Sequence, residues 1–466
     1  MRLALSLAVA PLAYGQLFDR NTPELHSDVV EHFKYGSIGA EDRAGIPLWI
    51  WRVLPDLFPQ HLPQRPGTGY ERFGLLFEPG KTRPIGTSRR ERQIPFVGLN
   101  CAVCHTGTIR DSPSGPRRIV MGMPAHQFDL QAYQQFFFAC VRDPAFTADR
   151  IIEAIEKVNP DLGVVEKLVY RWVVIPRTQT QGQELARSFS WMYARPRQGP
   201  GRVDTFNPYK VLFGFNMDAE TSVGTADLPP LFSQRPREGL WLHWDGNNDK
   251  VVERNKSAAI GAGASEASLD LDGMKRVEDW VLDLKPPAFP ADKIDQAKAA
   301  SGKPLYERLC ASCHAFGGKF TGTAIDLADI GTDPGRADSF NAQLTEKMNT
   351  LGTGRPWKFS HFRDTNGYAA MPLDGVWLRA PYLHNGSVPT LRDLLKKPDD
   401  RPAVFWRGYD VYDYANVGFV SSGPEAEREG FKLETAKRGN SAAGHAYGTE
   451  LKDAEKSALV EYMKTL

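Results

Sequence analysis

The chain has 466 residues, with 57 basic and 56 acidic side chains, a formal net charge of +1, and 41% apolar against 24% charged residues. This balance gives no electrostatic reason to expect nucleic acid or an anionic membrane surface as partner, and the apolar content is enough for a sizeable core. The length predicts two or three domains, or one large elaborated one.

The first residues, "MRLALSLAVAPLAYGQ", read as an export signal. Arg2 supplies a short basic start, Leu3 to Leu12 an apolar stretch too short to span a bilayer, and Ala13-Tyr14-Gly15 a small-x-small cleavage site. Residues 1–15 are therefore expected to be a signal peptide, and the mature chain to be soluble and periplasmic or secreted, without a transmembrane anchor.

"IPFVGLN" (94–100) is apolar and extended, and it runs into "CAVCH" at 101–105. Cys140, in "FFFACVRDP", follows an aromatic run and reads as a buried free thiol. "DRIIEAIEKV" (149–158) places Ile151, Ile155 and Val158 on one helical face. Long loops rich in Pro, Gly and Arg follow, such as 193–208, and loops of that length wrap something or carry function.

"LWLHWDGNND" (240–249) gathers His243, Trp244 and Asp245 in an aromatic, weakly polar stretch suited to the wall of a reactive pocket. The plainer alternative is core tryptophans followed by a turn. The same stretch resembles a calcium loop as D-x-N-x-D, although Lys250 and Lys256 stand where such a loop needs Gly and Glu. "MKRVEDWVLDL" (274–284) has a helical face of Val277, Val281 and Leu284. The Pro-rich "DLKPPAFPADKID" (283–295) then marks a boundary. This predicts an N-terminal domain over 16–285 and a C-terminal one over 291–466.

After the connector, a helical stretch ends in "CASCH" at 310–314. C-x-x-C-H is the attachment signature of c-type haem. Two residues between the thiols let one turn of chain reach both porphyrin vinyl groups, and the next residue can serve as the proximal iron ligand. A zinc ribbon would not ask for a His after each second Cys, and a thioredoxin-like motif would want a cytosolic βαβ setting. Two covalent haems c are expected, attached through Cys101 and Cys104 and through Cys310 and Cys313, with His105 and His314 as proximal ligands.

Eight other histidines are available, and most read as surface or core residues. His445, in the Gly-rich "GNSAAGHAYGTEL", is the candidate sixth ligand of the second haem, because a Gly-rich backbone can approach a flat group closely. Met371, in "GYAAMPLDG", is the alternative. "RAPYLHNGSVPTLRDLLKKP" (379–398) contains an Asn385-Gly386 turn and a Thr390/Asp393 capping box. In that segment His384 is either structural or, with Arg379, a partner for a haem propionate. The last residues form a helix with Leu451, Leu459, Met463 and Leu466 near one face. This C-terminal arrangement resembles small c-type cytochromes, in which the haem string closes one helix and a later helix crosses it. The predicted fold is mainly α, two cytochrome c-like haem domains with long irregular loops.

Two separated CxxCH strings together with "LDGVWLRAPYLHNGSVPTLRDLL" resemble the dihaem bacterial cytochrome c peroxidase superfamily. Within it, the chain looks most like the branch of dihaem rubber oxygenases and related unsaturated-lipid dioxygenases. The resemblance implies a reactive haem on His105 and an electron-transfer haem on His314 and His445. It also implies a small oxidant (O2 or H2O2), an apolar substrate and a redox partner protein. The chain is shorter than the rubber oxygenases, and Met371 lies near where peroxidases place a Met ligand. A non-catalytic dihaem electron carrier is the other reading.

Overall fold

The computed structural model describes residues 21–466, so the expected signal peptide lies outside the described residues. Helices make up 40% and strands 12% of the structure, which overturns the expectation of a mainly α protein built as two cytochrome c-like domains. The strands form one four-stranded and five two-stranded antiparallel sheets among the described residues. They escaped the sequence reading because each is only two to five residues long. A two-residue period cannot show over so short a run.

The strands matter because they deliver the first CxxCH string. Pro95–Leu99 pairs with Thr87–Glu91 on one side and Ile46–Pro47 on the other, so it is an inner strand of the four-stranded sheet. Asn100 then turns the chain into the short helix Cys101–Cys104, its side chain accepting from the Ala102 amide at 3.0 Å and donating to the Gly36 carbonyl at 3.0 Å. Directly after His105, Thr106–Ile109 pairs with Arg118–Met121. The first motif thus sits between two sheets. Cys140 is fully buried in the adjoining core with Phe136, Val141 and Ile151, and its thiol is free.

The second motif has the helical setting that its sequence predicts. Gln296–Leu309 leads into Ala311–His314, and Asp453–Met463 packs across the first of these helices. The crossing is close because Gly302 has no side chain: a Cβ there would lie 1.9 Å from the Ala458 carbonyl oxygen. Tyr306 and Leu459 are buried beside it.

Segments from both sides of the Pro-rich connector share one core. Ile109, Val120, Met123 and Phe232 pack in the same cluster as Val376, Leu378, Val388 and Leu459. Polar contacts reinforce this. Arg407, fully buried, donates to Asp227 at 2.6 Å and to the Pro200 and Gly386 carbonyls at 2.7 and 3.0 Å. Arg110 meets Asp410 at 2.5 Å. The connector is packed as well, with Phe289 buried against Trp377 and the Pro287 carbonyl accepting from the Trp377 indole at 3.0 Å. No helix among the described residues is long and apolar enough to cross a membrane.

Gly302→Ala should force the two C-terminal helices apart, since the atom it meets is backbone and cannot rotate away. The expected cost is about 1–3 kcal/mol of stability, measured by denaturant unfolding.

Candidate functional site

Both CxxCH strings end in a half-buried histidine whose ring is fixed in the same way. His105 Nδ1 lies 2.8 Å from the Pro229 carbonyl oxygen, and His314 Nδ1 lies 2.8 Å from the Met371 carbonyl oxygen. A carbonyl can only accept, so in each ring the proton belongs on Nδ1 and the lone pair is left on Nε2. That is the tautomer an iron ligand needs, with the ring orientation set by its outer partner. Burial lowers the pKa of both rings, that of His105 to about 4, so they stay neutral at ordinary pH.

The peptide backbone clamps each support further. Gly122 donates to the His105 carbonyl, and Leu231 donates back to the Gly122 carbonyl, each at 2.8 Å. In the second site Leu373 donates to the His314 carbonyl at 3.2 Å. The acceptor residues share a local sequence, Pro229-Pro230-Leu231 and Met371-Pro372-Leu373. A residue before proline is confined to extended backbone, which keeps its carbonyl out of helical bonding and free to accept. This shared X-Pro-Leu is the signal that could have found both supports in the sequence.

His445 comes to His314, with ring centroids 6.1 Å apart and planes inclined by 43°. Two imidazoles on one iron would lie about 6 Å apart, from two metal–nitrogen bonds of about 2 Å and two ring radii of about 1.1 Å. The pair therefore fits an iron held between them. Burial, with His314 and Arg401 nearby, lowers the His445 pKa to about 3, leaving a neutral ring with a lone pair available. Gly444 at φ 72° lets the loop press against Gly331, and His445 itself is in the left-handed region at φ 45°. Arg401 holds that unfavourable shape, donating to the carbonyls of Ala442, Gly444 and His445 at 2.5, 2.8 and 3.1 Å. The His445 amide donates to the Ile330 carbonyl at 2.8 Å. Met371, the alternative ligand, has its backbone on the Nδ1 edge of His314, away from Nε2.

The other candidates are more dispersed. In the 243–245 stretch, the Trp244 indole donates to the Asp227 carbonyl at 2.7 Å, and Asp245 is buried in an ion pair with Arg336 at 2.8 Å. His243 is half-buried in the left-handed region at φ 64°, and its buried Nε2 has no hydrogen-bond partner. Burial, then Arg336 and Arg254, hold its pKa well below the usual range. Arg254 lowers the pKa of His105 as well. The calcium reading of 245–249 loses its ligands, because Asp245 is committed to Arg336 and Asp249 to Arg363. His384 is buried and stacked on Tyr368 at 3.9 Å. Arg379 donates to the Pro372 carbonyl at 2.8 Å and to Asp374 at 3.1 Å.

With this geometry in hand, comparison with known proteins narrows the class. Residues 367–407 match the family described as RoxA-like, cytochrome c-like. The matched segment contains Met371, the His314 support, and Arg379, His384 and Arg407. Over that segment the chain is similar to the rubber oxygenase-like cytochromes c, and covalent haem c is the cofactor to which the match points.

Two proteins of Sinorhizobium fredii (strain NBRC 101917 / NGR234) are similar to the chain. One, named as uncharacterized protein y4iJ, is 26% identical over 545 residues, covering 95% of this chain and 85% of its own length. The other, uncharacterized protein y4iM, is 35% identical over 219 residues, covering 42% of this chain and 49% of its own length.

Arg401→Ala should release the His445 loop. Amide hydrogen exchange at Ala442–His445 is expected to rise, with a stability loss of about 1–3 kcal/mol, read by exchange mass spectrometry and denaturant unfolding.

Proposed function

We propose that this chain is an exported dihaem c-type cytochrome acting as an oxidoreductase. O2 or H2O2 would be activated at the haem on Cys101, Cys104 and His105. The haem on Cys310, Cys313, His314 and His445 would transfer electrons to or from it. A bound haem supplies a redox-active iron with two axial positions.

The observation that carries the reading is the asymmetry between the two sites. His314 faces a second imidazole at 6.1 Å, and His105 forms no such ring pair among the described residues. An iron held on both sides is suited to electron transfer, and one held on a single side can take a small oxidant. The chain's residues divide the work accordingly. Asn100 orients the first motif, Pro229 fixes the His105 tautomer, Met371 fixes that of His314, and Arg401 holds His445 in place. Within the proposed pocket wall, Trp244 and Asp245 are held by Asp227 and Arg336. That leaves His243 as the member with a ring nitrogen available to a bound oxidant. An apolar substrate and a redox partner protein complete the proposal.

One observation favours the alternative, a dihaem electron carrier without substrate. His243 Nε2, which has no hydrogen-bond partner, could supply a sixth ligand to the first haem as well.

Spectroscopy of the reduced holoprotein separates the two readings. The enzyme should show one high-spin haem that binds CO and one low-spin haem that does not. Two low-spin haems, neither binding CO or peroxide, would sink it. His445→Ala should turn the second haem high-spin, while Met371→Ala should leave it low-spin. The reverse result would exchange the two ligand assignments.

A further inference from the structure

One guanidinium joins the supports of the two proximal histidines. Arg237 is buried, at the end of the short turn Arg235–Arg237. Its Nη1 donates to the carbonyls of Phe232 and Ser233 at 3.1 and 2.7 Å, within the segment that begins with the His105 acceptor Pro229. Its Nη2 donates to the Pro372 carbonyl at 3.3 Å and to the Asp374 carboxylate. Pro372 directly follows Met371, the His314 acceptor. The guanidinium carbon also lies 5.3 Å from the ring centroid of Phe316, two residues beyond His314.

Arg379 braces only the second of these supports, through Pro372 and Asp374. Burial pushes the Asp374 carboxyl up, but Arg379 and Arg237 more than offset this and hold it below the usual carboxylate range. A buried arginine pair sharing one carboxylate is costly to assemble; here spare donors go to the backbone carbonyls of Phe232, Ser233 and Pro372, close to the histidine supports, while Arg379 Nε has no partner. The fork geometry matters: a guanidinium can bond two segments at once in fixed directions, whereas an ammonium is a single point of charge.

We propose that Arg237 is a positioning residue for both haems, holding the Pro229 and Met371 supports in one relation and so tuning the ligand strength of His105 and His314 together. This rests on the dihaem reading given above. A histidine ligand becomes more basic as its Nδ1–H bond to its support shortens and straightens, and outer partners of this kind tune the metal.

The test compares Arg237→Lys with Arg379→Lys in the purified holoprotein. Haem content is counted by pyridine haemochromogen and intact mass, and midpoint potentials are read by a redox titration monitored by EPR, which resolves the two irons. Arg237→Lys should keep both haems and shift both potentials. Arg379→Lys should shift the second haem alone.

If Arg237→Lys moves one potential or neither, the inference is overturned. Should Arg237→Lys fold poorly, Arg237→Gln leaves Asp374 paired with Arg379, and both potentials should again shift. Wild-type protein holding fewer than two haems would instead sink the dihaem reading itself.

Discussion

The bond from each CxxCH histidine to a backbone carbonyl is the constraint on which the sites depend. It is short, it is partly shielded from water, and it allows one tautomer only, so the ring that ends each CxxCH string presents Nε2. The acceptors come from far along the chain, 124 residues from His105 and 57 from His314. Much of the fold can be understood as what brings these segments back: the strand pair after His105, the Gly122 and Leu231 bonds, and the packing of Phe232 and Val376 in one core.

Buried arginines do much of the long-range holding. Arg407 reaches Asp227, Arg336 reaches Asp245, and Arg237 reaches Asp374, each across more than ninety residues of chain. Such pairs are weak sources of net stability, because removing both charges from water offsets much of their attraction. Their value is directional. Each fork also bonds backbone or side-chain oxygens of a neighbouring segment, as Arg407 does at Pro200 and Gly386, and so admits few alternative arrangements. His445 shows the same logic on a smaller scale, where Arg401 keeps a non-glycine residue at positive φ.

The C-terminal half of the fold was more legible than the N-terminal half. Helical periodicity around "CASCH" and in the last eighteen residues corresponds to Gln296–Leu309 and Asp453–Met463. The turn at Asn385-Gly386 and the cap at Thr390 are likewise in place, with Gly386 at φ 61° and the Thr390 side chain accepting from the Asp393 amide. The N-terminal half misled because two- to five-residue strands leave no periodic trace, so sheets looked like wrapping loops. The calcium reading failed for a related reason: a local D-x-N-x-D pattern cannot reveal that Arg336 and Arg363 arrive to take its carboxylates.

By itself the sequence determined the local chemistry: where two thiols and a histidine stand at the spacing for haem attachment, where His445 sits in a glycine-rich loop, and that the stretches around 149–158, 274–284, 296–309 and 453–463 are helical. These follow from neighbours within a few residues, and short-range sterics and hydrogen bonding are enough to set them. Only the tertiary structure decided which carbonyl each histidine bonds, that His445 lies 6.1 Å from His314, and that one arginine links both supports. Those pairings join segments up to 142 residues apart, such as Pro229 and Met371. They depend on buried groups finding partners once the core has closed, because an unpaired polar group away from water is costly.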